Sequence, residues 1–324
     1  MKTKAPYLPQ RRRVADRKPS FVPQARDFEI LSAVYDNRFL TTSMIADLFP
    51  PDDSRRPIAA LKATGRLKAP PASYPKNLVA RLGKLFHHHY LDRLRTSYGS
   101  ELIYAVGQSG AELLRDRQLR LFSDRIDWNE KNRALGQANI DHALMVARFR
   151  VALSVALRSL PTLVLDTFQR EGKDLKAEWK NRGRRVYVYP DAFFVLRDTE
   201  RPQGKNRLAF FLEADQSTMP HPRMVEKFER FAELAGREQL LHDYFNASTF
   251  SVLTITKTAD RAKNLLATLR NARGVPEPLQ KRFFFISETE YRDQLENIFA
   301  AVWLVGNNPN TPRPFHPYPP FAKK

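Results

Sequence analysis

The chain has 324 residues and no cysteine, and 42% of its side chains are apolar, with 22 Phe and 11 Tyr among them. Disulfide scaffolds, thiolate metal centres and cysteine nucleophiles are excluded, while the apolar content is ample for folded cores. The 54 Lys and Arg outweigh 35 Asp and Glu to give a formal charge of +19, which points to a polyanionic partner, with nucleic acid first.

The excess is +11 over residues 1–125 (23 basic, 12 acidic) and +8 over residues 126–324 (31 basic, 23 acidic). The length suggests two domains. No apolar run reaches the roughly 18 residues of a membrane span, so no membrane partner is expected. Met1-Lys-Thr-Lys-Ala-Pro leads into Arg11, Arg12 and Arg13 without an apolar segment, so no secretory signal is read and a cytoplasmic location is expected.

Residues 1–22 read as a basic flexible arm, with Arg11, Arg12 and Arg13 available to phosphates. Residues 23–120 follow a different pattern. Phe28, Ile30, Leu31, Val34 and Tyr35 share a helix face. Thr41-Thr42-Ser43 then caps a second helix carrying Met44, Ile45 and Leu48. After a Pro-rich loop with a short helical stretch at Ile58–Ala63, a third helix starts at Pro75. Its apolar side holds Leu78, Val79, Leu82, Leu85 and Phe86, and Lys76, Arg81 and Lys84 lie away from that side. Tyr90–Arg95 and Glu101–Val106 form a hairpin about Gly99, and Ser109-Gly-Ala-Glu112 reads as a capping box. Three helices and a hairpin are the order of a winged helix-turn-helix. The third helix would present Lys76, Arg81 and Lys84 to a major groove, and the hairpin would bring Arg93 and Arg95 to phosphates. Consecutive residues point in different directions, so His87-His88-His89 suits a helix C-terminus better than a metal site.

Residues 121–137 read as a polar linker or exposed helix. Residues 138–306 form the second domain. A long helix from Ile140 to Ala156 is apolar on several sides, and strands are expected at Leu163–Phe168, Arg185–Leu196, Arg207–Asp215, Phe250–Thr256 and Arg282–Ser287. Helices are expected at Met224–Ala235, Gln239–Phe245, Ala259–Asn271 and Arg292–Val305, with a Pro-rich extended tail over 307–324. The fold class is therefore α+β, a winged helix-turn-helix followed by an α/β domain with a central mixed sheet.

Acids interrupt two of these strands. Asp191 follows Tyr189-Pro190, and Glu213 and Asp215 close Phe210-Phe211-Leu212-Glu213-Ala214-Asp215. Glu213 and Asp215 are two apart and share a sheet face. Buried carboxylates need a cation, and three converging ones suit a hard ion such as Mg²⁺ that activates water at a phosphodiester. Lys227, on the helix that follows, would supply a positive group beside them. Trp179 with Lys180, Arg182, Arg184 and Arg185 reads as a hairpin loop or a DNA-backbone contact.

Pro190-Asp191 on the second strand and Glu213-x-Asp215 on the third resemble the PD-(D/E)XK nuclease superfamily, the restriction-endonuclease-like fold. Over about residues 25–290 the chain also resembles the replication-relaxation family of plasmid and mobile-element proteins. That resemblance rests on Phe39-Leu-Thr-Thr42, His142-Ala-Leu, Pro190-Asp191-Ala-Phe, Phe211-Leu-Glu213-Ala-Asp215-Gln-Ser-Thr218, and the helix of Lys227 and Phe231. It implies that Asp191 and Glu213 hold Mg²⁺ or Mn²⁺, with Asp215 assisting, and that the first helix brings His142 to the site. The superfamily places Lys two residues after Glu213, where this chain has Asp215; a relocated Lys227 would take that role. The function implied is double-stranded DNA binding in the replication or relaxation of a plasmid or mobile element, with metal-dependent cleavage if the site is active. Replication or conjugation proteins and a second copy of the chain are the expected protein partners. The alternative is a DNA-binding regulator whose nuclease-like domain only dimerises or wraps DNA. An RNA-binding factor is a third class, without an aromatic RNA-binding motif in the sequence.

Overall fold

The structure, a computed structural model, describes residues 21–50, 76–94, 101–120, 126–172, 175–217, 220–299 and 303–315. The basic arm with Arg11, Arg12 and Arg13, the Ile58–Ala63 stretch, Arg95, Thr218 and the end of the Pro-rich tail lie outside these residues. The chain divides into two compact units, residues 1–147 and 148–324.

In the first unit, α1 (Ala25–Asn37) buries Ile30, Leu31 and Val34 at helical spacing. Its start is fixed by Asp27, whose Oδ2 accepts from the Gln24 amide at 2.6 Å. Thr41 caps α2 (Thr42–Leu48) as its sequence demands, its hydroxyl accepting from the Met44 amide at 3.3 Å. Next come α3 (Lys76–His87) and the hairpin β2 (Leu91–Arg93) and β3 (Ile103–Val106). The short β1 (Leu40–Thr41) joins that hairpin, giving the sheet order β1-β3-β2. Helix α4 (Gln108–Asp116) starts from Gly107, two residues earlier than the Ser109 capping box expects. The stretch read as a linker carries α5 (Trp128–Arg133), whose Trp128 ring lies 5.7 Å from that of Tyr35. Asn132 is buried there and donates to the Val106 carbonyl at 2.9 Å and to Asp92 at 3.2 Å.

Helix α6 (Gln137–Leu157) contains the division between the units. In the second unit a seven-stranded sheet has the order β12-β11-β10-β9-β8-β7-β4. Strands β4 (Leu163–Arg170), β7 (Ala192–Asp198) and β8 (Arg207–Asp215) form an antiparallel meander. Strands β8, β9 (Phe250–Thr256) and β10 (Phe283–Ser287) run parallel, connected by α7 (His221–Ala235), α8 (Glu238–Phe245), α9 (Ala259–Arg270) and α10 (Glu277–Gln280). Alternation puts Phe211, Val252, Phe283 and Phe285 into one core with Phe228, Phe231, Leu265 and Leu269 of α7 and α9. On the opposite face Phe149 of α6 packs 5.6 Å from Phe194.

Two expected elements differ. The strand expected at Arg185–Leu196 ends at Val188, because Pro190 has no amide to donate to a ladder. Its first part is β6 (Arg184–Val188), paired with β5 (Ala177–Asn181) in a separate hairpin. Arg182 and Gly183 turn it with φ of 47° and 76°, the double positive φ of a type I′ turn. The helix expected at Arg292–Val305 is instead a 3-10 turn (Leu295–Phe299) followed by β11 (Trp303–Val305). Trp303 and Val305 alternate with the half-buried Leu304, a period of two that suits a strand. At Gly306 a Cβ would stand 2.2 Å from the Gln280 carbonyl oxygen, so only glycine passes there. The first part of the expected tail is β12 (Asn308–Arg313), the edge strand beside β11.

Candidate active site

The inward face of β8 carries Phe211, then Glu213, then Asp215, so the apolar core passes directly into two buried carboxylates. Desolvation at these positions demands compensating cations. Lys227, in the second turn of α7, pairs with Glu213. Arg261, near the start of α9, forks onto Asp215, with Nε donating to Oδ2 at 2.7 Å and Nη2 to Oδ1 at 3.3 Å. The same guanidinium reaches His221 Nε2 at 3.4 Å, and His221 Nδ1 lies 2.6 Å from the Thr268 hydroxyl. Burial works to lower the Lys227 pKa, but Glu213, Asp191 and Asp215 outweigh it and hold the ammonium well above the ordinary lysine range. The three expected acids thus act on one lysine.

Asp191 reaches this end of the sheet through the meander. Its amide donates to the Leu212 carbonyl at 3.1 Å, and its Oδ2 accepts from the Ala214 amide at 2.7 Å. The pairing Arg170↔Ala192 places Glu171 opposite Asp191, and the Glu171 amide donates to the Asp191 carbonyl at 2.7 Å. The two carboxylates have oxygens within 4.8 Å of each other. Glu171 is a member of the cluster that the sequence reading did not select. Its only signal is an acid three residues beyond the strand expected to end at Phe168, informative once β4 is known to run to Arg170 in register with Asp191. Arg261 was missed for the same reason, since 46 residues separate it from Asp215.

Asp191 and Glu171 thus bring carboxylate oxygens together, Glu213 and Asp191 both act on the Lys227 ammonium, and such oxygen donors suit a hard cation. Across from Glu213 in the β8–β9 register stands Thr254, fully buried, whose hydroxyl has no partner among the described residues. Asp215 is committed to Arg261 in the geometry described. His142 lies in α6, half-buried, in the first unit.

Two of the cations expected to face DNA, Arg81 and Arg93, are held by the first unit itself. Arg81 forks onto the buried Asp27 carboxylate, its Nε donating at 2.7 Å, donates to the Val22 carbonyl at 3.0 Å, and covers the Phe21 ring at 4.3 Å. Arg93 lies over Phe86 at 4.5 Å and Tyr104 at 5.4 Å. Lys84 is half-buried on α3, and Lys76 opens that helix. In the second unit the basic hairpin is exposed at Lys180, Arg182, Arg184 and Arg185, while Trp179 is buried and donates to Glu233 at 2.6 Å. Among the described residues no helix is long and apolar enough to cross a membrane.

A family model described as Replication-relaxation matches residues 31–247. No curated protein and no solved structure matches the chain.

Proposed function

The chain belongs to the replication-relaxation family, and from that premise we propose that it binds double-stranded DNA and acts in the replication or relaxation of a plasmid or mobile element. Its second unit would cut a phosphodiester bond with the help of a divalent cation. The observation that carries this reading is the convergence of Glu213, Asp191 and Asp215 on the single ammonium of Lys227. Buried titratable groups held by several charged neighbours concentrate at catalytic sites. The antiparallel meander with Asp191 at its second strand and Glu213 on its third supports the nuclease-like reading of this unit.

Asp191, Glu213 and Glu171 would hold Mg²⁺ or Mn²⁺. The bound cation would offset charge on the phosphodiester and lower the pKa of an attacking water. Lys227 keeps its proton, because three carboxylates hold it, and so serves as a fixed positive charge beside the scissile phosphate rather than as a base. Asp215 fixes Arg261, and the forked pair stiffens the start of α9. In the first unit, three helices and the β1-β3-β2 sheet support a winged helix whose α3 presents Lys76 and Lys84 to DNA. Arg81 and Arg93 would then serve by setting the pose of α3 and the hairpin.

The rival reading, a DNA-binding regulator without cleavage, is favoured by one observation: Glu213 and Asp215 are already neutralised by Lys227 and Arg261. Incubating supercoiled plasmid with the purified chain, with Mg²⁺, Mn²⁺ or EDTA, separates the two. Metal-dependent nicking that is lost in Asp191→Ala/Glu213→Ala, with duplex binding retained, is the expected result. Glu171→Ala and His142→Ala in the same assay tell whether either side chain takes part. Salt-sensitive duplex binding without nicking by any form supports the regulator.

A further inference from the structure

Away from the acidic cluster, over the N-terminal halves of β8 and β9, the second unit has a cavity of about 700 Å³. That lies within the roughly 300–1,000 Å³ typical of small-ligand sites. Its walls include the rings of Phe210, Phe284 and Phe315, and its cations are Lys281, Arg282 and Arg313. No carboxylate lines it.

Several arginines elsewhere in this unit have carboxylate partners. Arg148 pairs with Glu288, Arg197 and Arg207 with Asp166, Arg237 with Glu233, and Arg261 with Asp215. Lys281, Arg282 and Arg313 have no carboxylate partner among the described residues. Arg313 is positioned all the same: its Nη2 donates to the Lys281 carbonyl at 3.0 Å, and its guanidinium lies over Phe284 at 5.5 Å. The hydroxyls of Thr249 and Ser251 line the same cavity and have no hydrogen-bond partner among the described residues. Three like charges at one concave wall repel one another until an anion enters, and a concave wall concentrates their field. A doubly charged phosphate answers several cations better than a single carboxylate does. The aromatic walls add a surface for a planar ring.

We propose that this cavity binds a nucleotide, with the phosphate at Lys281, Arg282 and Arg313 and the base against the phenylalanine rings. The site does not depend on the cleavage reading, because none of its residues belongs to the acidic cluster.

The test is isothermal titration of the full chain with AMP, adenosine, inorganic phosphate and a 5′-phosphorylated dinucleotide, all in EDTA so that no metal bridges a phosphate to the acidic cluster. AMP is expected to bind at least about tenfold more tightly than adenosine or phosphate. Lys281→Gln and Arg282→Gln, both at the rim, are each expected to weaken AMP by about tenfold, the size of one charge-assisted contact. Asp191→Ala/Glu213→Ala is expected to leave AMP binding unchanged. No AMP binding, binding untouched by Lys281→Gln and Arg282→Gln, or phosphate binding as tightly as AMP overturns the proposal. Binding of the dinucleotide without AMP also overturns it, and points to a strand end instead.

Discussion

Replacing Lys227 with methionine isolates the pair at the centre of the acidic site. The Lys227 side chain is 22% exposed and that of Glu213 only 4%, so the substitution keeps the bulk of the side chain and strands a buried carboxylate. Removing one partner of a buried pair costs about 3–5 kcal/mol. Protonation sets a ceiling on that loss. At pH 7 an ordinary glutamate of pKa about 4.3 takes up a proton at a cost of about 3.7 kcal/mol, and at pH 5 at about 1 kcal/mol. Lys227→Met is therefore expected to lose about 3 kcal/mol at pH 7 and about 1 kcal/mol at pH 5. The sign follows from proton uptake: the folded variant retains a proton on Glu213 that its unfolded chain releases above about pH 4.3, so its stability rises as pH falls. Urea unfolding in a Trp128→Phe background leaves Trp179 and Trp303, both buried in the second unit, as the fluorescent reporters. Adding Glu213→Gln should return stability to within about 1 kcal/mol of the parent, because the charge is then gone from both sides. Equal losses at pH 7 and pH 5, or a loss below about 1 kcal/mol at pH 7, would refute the buried-pair reasoning.

Other substitutions probe other parts of the molecule. Arg81→Met strands Asp27, whose side chain is 1% exposed, and should cost the first unit about 3 kcal/mol, read from Trp128 fluorescence in urea in a Trp179→Phe/Trp303→Phe background. Lys84→Ala should stay within about 0.5 kcal/mol by the same measurement while weakening duplex binding and flattening its salt dependence. Asp215→Asn frees Arg261 and should cost about 2–3 kcal/mol in the second unit; plasmid nicking per folded molecule should hold, and a loss of nicking at full stability would place Asp215 among the metal ligands. Gly183→Ala adds only the penalty of φ 76° in open space, about 1 kcal/mol. Gly306→Ala meets the Gln280 carbonyl at 2.2 Å and should cost about 3 kcal/mol, so equal melting shifts for the two would contradict the close approach.

Much of the fold was legible from periodicity. The strand at Arg207–Asp215 and that at Phe250–Thr256 have the limits the sequence assigns, and Ala259–Asn271 differs by one residue from α9. Apolar alternation and helical spacing are local signals, which a chain states without knowing its partners. The cap at Thr41 belongs to the same class. The misreadings fell where a local signal competed with a distant one. The run from Arg185 to Leu196 is continuous in hydrophobicity, yet Pro190 and the β5 pairing divide it. Arg292–Val305 contains helix-forming residues, yet β10 offered an open edge that Trp303–Val305 occupies.

The acids of the candidate site stood out by themselves, because Asp191, Glu213 and Asp215 interrupt apolar strands. The sequence also made the balance of the chain basic and left it without thiols. It could not say which cation answers which acid. Lys227 meets Glu213, Arg261 meets Asp215, Arg81 meets Asp27, and Glu171 stands opposite Asp191 only because strand register and helix crossover bring distant segments together. Burial makes an acid costly wherever it sits in a strand, so its presence is written locally. Its partner is whichever group the tertiary fold delivers within a few ångströms, and that distance belongs to no single segment of the chain.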